Sequence, residues 1–341
     1  MNNLKKLGLS ALAASMAVTT ASATDYAVTG DAILKFASVD DPTGAQGASG
    51  KGIGVDTDLY FNASGETDNG WTVAFFQAAN TDGSWSNSSS QVTIGMGSLG
   101  TLKVNNKAGS AANGIDDVMP AAYNETWDGL ALTSDNPSFF GGSTASGSLT
   151  YSIPTQEVSG LTINASIDYD PAADVGSTTA GGVNATSVTG TAMVVKIDHE
   201  SGLSIGAGQE KVENGVATKT ATKTGDDEES VTAYVKYAMG PVSVGYQEAY
   251  QNSANGGQDL EADFWSIAIT QGDFSLSYGE STRTSHATSD TAAVERGLES
   301  IQATYTMGAM TLGAAIAETS NAAGTANRKY EETELSVSFA F

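Results

Sequence analysis

LTINASIDY, residues 161–169, is the stretch that decides the fold. Leu161, Ile163, Ala165, Ile167 and Tyr169 alternate there with Thr162, Asn164, Ser166 and Asp168. Successive side chains of a strand point to opposite faces, so the stretch reads as a strand with one apolar and one polar face. Both ends of the chain obey the same rule. Residues 26–36 set Tyr26, Val28, Gly30, Ala32, Leu34 and Phe36 against Thr29, Asp31 and Lys35, with Ile33 an apolar exception. Residues 334–341 set Leu335, Val337, Phe339 and Phe341 against Glu334, Ser336, Ser338 and Ala340.

Working outward, sixteen such tracts are expected, near 26–36, 52–64, 71–78, 90–96, 101–107, 147–153, 160–169, 189–198, 203–210, 230–237, 242–249, 263–270, 274–280, 298–306, 310–317 and 331–341. Their connections sort by length. Every second one is short, as at Gly65–Gly70, Gly97–Gly100, Pro154–Ser159, His199–Gly202 and Ala238–Pro241. Those between are longer and rich in Gly, Ser, Asp and Asn, as at 37–51, 79–89, 108–146, 170–188 and 211–229. An even number of antiparallel strands with short turns at one end and long loops at the other is the pattern of a transmembrane β-barrel. A soluble sandwich has no reason to segregate its loops so regularly. The fold class expected is therefore all-β: an antiparallel barrel with short periplasmic turns and long outer loops. At about sixteen strands side chains no longer fill the interior, so an aqueous channel follows.

The first residues read as an export leader. Lys5 and Lys6 precede the apolar run Leu7 to Val18, and Ala21-Ser22-Ala23 is a small-x-small cleavage pattern. The expected division is a signal peptide over 1–23 and one barrel domain over 24–341. No later segment is apolar for long enough to cross a bilayer as a helix. A formal charge of −24 argues against nucleic acid and against direct attraction to anionic head groups. The absence of Cys excludes disulfides and thiolate metal sites.

Three segments carry a resemblance to the general porins of Gram-negative bacteria, which are trimeric and sixteen-stranded: the opening YAVTGDA (26–32), the hairpin IGMGSLGTLK (94–103) and the ending ELSVSFAF (334–341). The resemblance covers essentially the whole mature chain. It implies an outer-membrane location, a homotrimer, and passive diffusion of small hydrophilic solutes and ions. Membrane lipid and outer-leaflet lipopolysaccharide are the implied surroundings. Terminal Phe341 looks like the signal that the family's barrel-assembly machinery reads. The family's third outer loop folds into the barrel and narrows it. Here that loop is the longest connection, and Ile115 to Tyr123 is expected to make a short helical turn with acids at its N-terminal end. Asp116, Asp117, Glu125 and Asp128, with Asp135 beyond them, are the candidate acidic side of the constriction. Lys35, Lys103 and Lys107 are the candidate basic side, on the lumenal phase of the wall. The only arginines are Arg283, Arg296 and Arg328, so a dense Arg ladder is absent and a mild cation preference is expected.

Other chemistries fare less well. His199 and His286 fall in different connections without catalytic partners, so no enzyme is expected. Gly95, Gly97 and Gly100 match G-x-G-x-x-G but sit in a tight hairpin with no helix following, which excludes a dinucleotide site. No cofactor is expected; Asp168, Asp170 and Asp174, entering the fourth outer loop, are weak candidates for Ca²⁺. The competing class is a structural, adhesive or receptor barrel with partner-binding loops. A plug would need residues that the chain does not have to spare before its first strand.

Overall fold

The structure, a computed structural model, describes residues 22–40, 49–80, 86–106, 109–125, 146–171, 189–213, 227–252, 259–286, 294–322 and 325–341. These form one sheet: β1 (Ser22–Asp40), β2 (Gly50–Glu66), β3 (Thr72–Asn80), β4 (Ser86–Gly95), β5 (Thr101–Asn106), β6 (Ser146–Ser152), β7 (Gln156–Val158), β8 (Leu161–Asp170) and β9 (Gly190–His199) in the first half. The second half supplies β10 (Leu203–Val212), β11 (Glu228–Met239), β12 (Val242–Asn252), β13 (Asp259–Gln271), β14 (Phe274–His286), β15 (Arg296–Met307), β16 (Met310–Ser320) and β17 (Lys329–Ala340). All pairings are antiparallel, and β17 returns to β1 from Asp31↔Ala340 to Asp40↔Glu331. The sheet is therefore a closed barrel with no free edge, which leaves no ladder group exposed to hydrocarbon.

Seventeen segments make sixteen positions in the wall, because β6 and β7 both pair with β8. Pro154 has no N–H for the ladder and breaks that wall strand between them. The turn expected over Pro154–Ser159 thus shrinks to Ser159-Gly160, whose φ values of 51° and 80° suit a two-residue hairpin turn. Gly240, Gly272 and Gly308, each with φ near 60°, make equally tight turns at the same end.

The strands also outrun the expected boundaries at the long-loop end. β1 continues to Asp40 and β14 to His286, because above the apolar band both faces are wet and pairing goes on without an apolar face, as in Ser281–His286, which is polar at every position. The alternation itself is inside out. On β13, Ala262, Phe264, Ser266 and Ala268 are buried, whereas Trp265, Ile267 and Ile269 are exposed. On β11, Ser230 and Thr232 are buried and Val231 and Val235 are exposed. Such a surface is stable only in lipid. Toward the long-loop end the outward face turns acidic: Glu280, Glu299, Glu318, Glu331 and Asp40 stand opposite one another in register from β14 round to β1.

A hydrophobic cluster lies inside the barrel, not on its outer face. Ala112, Ile115 and Met119 of the third loop pack there on Ala192, Val194, Tyr234, Ala249, Ala262 and Phe264 of the wall. Burying Ile115 completely contributes about 2 kcal/mol to holding the loop inside.

Candidate functional site

The third loop leaves β5 and turns at Gly109, where φ is +69° and a Cβ would lie 2.2 Å from Asn113 Oδ1. Ser110 then closes the first turn by accepting a hydrogen bond from Asn113 N–H (3.0 Å) while donating to Glu210 Oε2 (2.7 Å). A single 3-10 turn follows over Asn113–Ile115, and Asp116 is its C-cap. The helical turn expected over Ile115 to Tyr123 is therefore displaced upstream, and the acids stand at its C-terminal end, not its N-terminal end. Pro120 favours an extended residue before it, and the wall takes up backbone groups that a helix would need.

That uptake is the main feature of the site. Ala111 N–H donates to Asp168 Oδ2 on β8 (2.8 Å). Lys196 Nζ of β9 donates to Gly114 O (3.4 Å). Gln247 of β12 donates from Nε2 to Ile115 O (2.8 Å) and Asp116 O (3.1 Å), and its Oε1 accepts from Val118 N–H (3.2 Å). Ser266 Oγ of β13 donates to Pro120 O, and Ser277 Oγ of β14 accepts from Ala122 N–H. Gln302 of β15 accepts from Tyr123 N–H (3.1 Å) and Asn124 N–H (2.9 Å), and the Tyr123 hydroxyl donates to Glu334 of β17. The loop therefore crosses the inner wall strand by strand from β8 to β17. The described stretch of the loop, 109–125, thus lies along β8 to β17, and the rest of the wall includes β1 to β5.

Of the expected acidic residues, Asp116 and Asp117 lie on this segment, half-buried. Asp116 accepts from Asn113 Nδ2 and from Asp117 N–H, and Asp117 accepts from Met119 N–H, so both carboxylates also shape the loop. Glu125 is exposed at the end of the described segment. Asp128, Asp135 and Lys107 lie outside the described residues. Lys35 is on the lumenal phase of β1, its Nζ 3.9 Å from Glu334, and Lys103 faces the lumen from β5 opposite Thr150 and Thr93. The wall from β1 to β5 is itself acidic. Asp31 stands directly opposite Asp58, Asp56 lies two residues along β2, and Tyr60 donates to Asp31 (2.7 Å) while stacking on Phe76 at 6.2 Å.

The calcium candidates divide differently from the expectation. Asp168 and Asp170 are buried in β8, not placed in an outer loop. The Asp168 carboxylate accepts from Ala111 N–H and from the Thr150 hydroxyl, and Asp174 lies outside the described residues. Among the described residues no group of three or more acids or histidines has metal-holding geometry. His199 ends β9 beside a short turn, with Nδ1 2.7 Å from Ser201 Oγ.

Several lumenal residues had no signal in the sequence. Gln247, Ser266, Ser277 and Gln302 read only as polar lining. Lys236 lies over the Tyr234 ring, and Lys196 reaches the loop. Arg283 and Arg296 stand opposite each other across β14 and β15, and Arg328 lies over Tyr330 at the same end of the barrel. Register alone brings Arg283 and Arg296 together.

Family comparison closes the question of what the barrel is. The model of the Gram-negative porins matches residues 8–341. The chain belongs to the Gram-negative porin family. It is an outer-membrane channel protein, and porin channels of this kind are not enzymes. Among solved structures, an anion-selective porin from Comamonas acidovorans is 12% identical, with 93% of this chain and all of that one covered at a TM-score of 0.67. OmpT of Vibrio cholerae in its trimer form is 11% identical, covering 94% and 100% at 0.65. A porin refined at high resolution is 15% identical, covering 93% and 100% at 0.60. At these identities the likeness speaks for the barrel alone. No curated protein sequence matched.

Proposed function

We propose that this porin is a homotrimeric, water-filled passage for small hydrophilic solutes and inorganic ions, with a mild preference for cations. The observation carrying the preference is the charge of the narrow section. Asp31, Asp56 and Asp58 outnumber Lys35 and Lys103 on the wall from β1 to β5, and the described stretch of the third loop adds Asp116 and Asp117. Lumenal charge tunes the selectivity of such pores. The fold carries no sign of selectivity by itself, since a neighbour in fold is titled anion-selective. The trimer is supported by the neighbour titled as one. Removal of a leader over 1–23 and delivery of the C-terminal strand to an assembly machinery complete the reading. Lipopolysaccharide with its divalent counterions suits the outward row of carboxylates.

The test is the reversal potential of purified protein in a planar bilayer under a KCl gradient. Stepwise conductance with a potential of cation-selective sign is expected. Conductance with the opposite sign overturns the preference, and no conductance at all overturns the passage.

A further inference from the structure

Three glycines far apart in sequence lie beneath the third loop: Gly208 on β10, Gly245 on β12 and Gly313 on β16. A Cβ at Gly245 would stand 2.8 Å from Pro120 Cδ and 2.9 Å from Met119 Sδ. At Gly313 it would meet the rotatable Ser336 Oγ of the next strand at 2.5 Å and the Tyr123 ring at 2.7 Å, and at Gly208 it would meet Ile115 Cδ1 at 2.9 Å. Ordinary contact for a Cβ begins near 3.4 Å. The loop therefore lies closer to the wall than any side chain would permit, and it does so at three points along its length. Gly54, on β2 opposite Lys35, has no atom of the described residues within 4 Å of its Cβ position.

We infer that Gly208, Gly245 and Gly313 form a seat that sets the aperture of the pore by letting the third loop lie flush against the barrel. The inference rests on the reading of this loop as the constriction. Its physics is one of confinement. The loop is tied on either side of each contact, by Gln247 at Ile115 and Val118, by Ser266 at Pro120, and by Gln302 at Tyr123 and Asn124. It cannot slide along the wall without breaking these bonds. The Pro120 and Tyr123 rings are rigid, so a methyl group inserted behind them moves the backbone toward the channel axis. The glycines are positioning residues: they touch no solute, and act through the loop.

The experiment compares single-channel conductance and the size limit for neutral sugars in liposome swelling. Gly245→Ala and Gly313→Ala are the seat variants. Gly54→Ala is the control, because it adds the same methyl group to the lumen where no described residue of the third loop rests. Only protein that keeps the heat-modifiable gel mobility of the folded barrel is assayed. The seat variants should conduct about twofold less and exclude smaller sugars, since passage depends on the diameter of the narrowest section. Gly54→Ala should stay near wild type. A size swap gives the second arm. Gly208→Ala should lower conductance, and adding Ile115→Val, which removes the Cδ1 atom, should restore it. Folded seat variants with wild-type conductance and size limit overturn the inference, as does a Gly54→Ala loss as large as theirs. Absence of any conductance from the wild-type protein overturns the underlying passage reading instead, and is visible before a variant is made.

Discussion

Gln247 is fully buried, and both ends of its amide are committed to the third loop, with a further bond from Nε2 to Thr232 Oγ1 (2.8 Å). Replacing it by Leu leaves Val118 N–H and the carbonyls of Ile115 and Asp116 without that partner. An unmade buried hydrogen bond costs about 1–3 kcal/mol, enough to make local opening of the loop frequent. Gln247→Leu should therefore speed amide exchange at 115–119 and add noise to the open-channel current while leaving the gel mobility of the barrel intact. Unchanged exchange would show that the loop is held by its apolar contacts alone. Tyr123 secures the far end. Burial first, and then the hydrogen bond to Glu334, push its phenol from 10.0 up to about 12. The folded form thus favours the neutral hydroxyl; its contribution is whole below pH 10 and is lost as pH rises through about 12. A tyrosinate absorbance titration should show a late component, shared with other hydrogen-bonded tyrosines, that Tyr123→Phe diminishes; loss of an early component instead would contradict the buried hydroxyl. Neither role was legible in the sequence. Gln247 and Gln302 meet partners 129 and 179 residues away, and a lumenal glutamine that lines a channel has the same local pattern as one that pins a loop.

The strands were legible and their ends were not. A wall strand has lipid on one side and water on the other, and that difference imprints period two at each crossing. Above the apolar band both faces are wet, so nothing in the pattern marks where pairing stops, and β1 and β14 run on. The break at Pro154 was visible as a proline, but whether it ended a strand or interrupted one depends on the partner, β8. The third loop was legible by length; its conformation was not, because the wall dictates it. The last strand was legible and carries a prediction. β17 closes the barrel on β1, and Phe341 ends the seam, donating from N–H to Gly30 O (2.8 Å) and accepting from Gly30 N–H (3.2 Å). A barrel closes only when this seam forms, whereas the lumen is lined by residues far above it. Deleting Phe341 should lower the amount of folded protein in the outer membrane, and the molecules that do assemble should conduct normally. Wild-type levels after the deletion would show that closure does not depend on the terminal residue.

For the molecule as a whole, the formal charge of −24 is a poor guide to what the pore prefers. Fixed charges act over a Debye length of ~8 Å at physiological salt, so the outward carboxylates from Glu280 round to Asp40 are screened from an ion in the lumen. The charges that count face each other across the narrow section. Asp116 and Asp117 are useful probes because each oxygen that shapes the loop accepts a hydrogen bond. Asn removes the charge and keeps one acceptor. At Asp117 that acceptor still serves Met119 N–H. Asp116 uses one oxygen for Asp117 N–H and the other for Asn113 Nδ2, so one of these two bonds is lost there. The double Asp→Asn change is therefore read only in protein whose amide exchange at 115–119 matches wild type. The reversal potential should then move toward anions. Asp56→Asn with Asp58→Asn should move it the same way from the opposite wall, and Lys103→Gln should move it toward cations. All three effects should shrink as salt rises, because screening weakens the fixed charges without altering the geometry. Two outcomes separate the parts of this account. If only the wall variants respond, the described stretch of the third loop does not border the ion path, although the barrel stands. If the shifts persist undiminished in concentrated salt, ions are held at close contact by these carboxylates, and preference arises from binding instead of from the field.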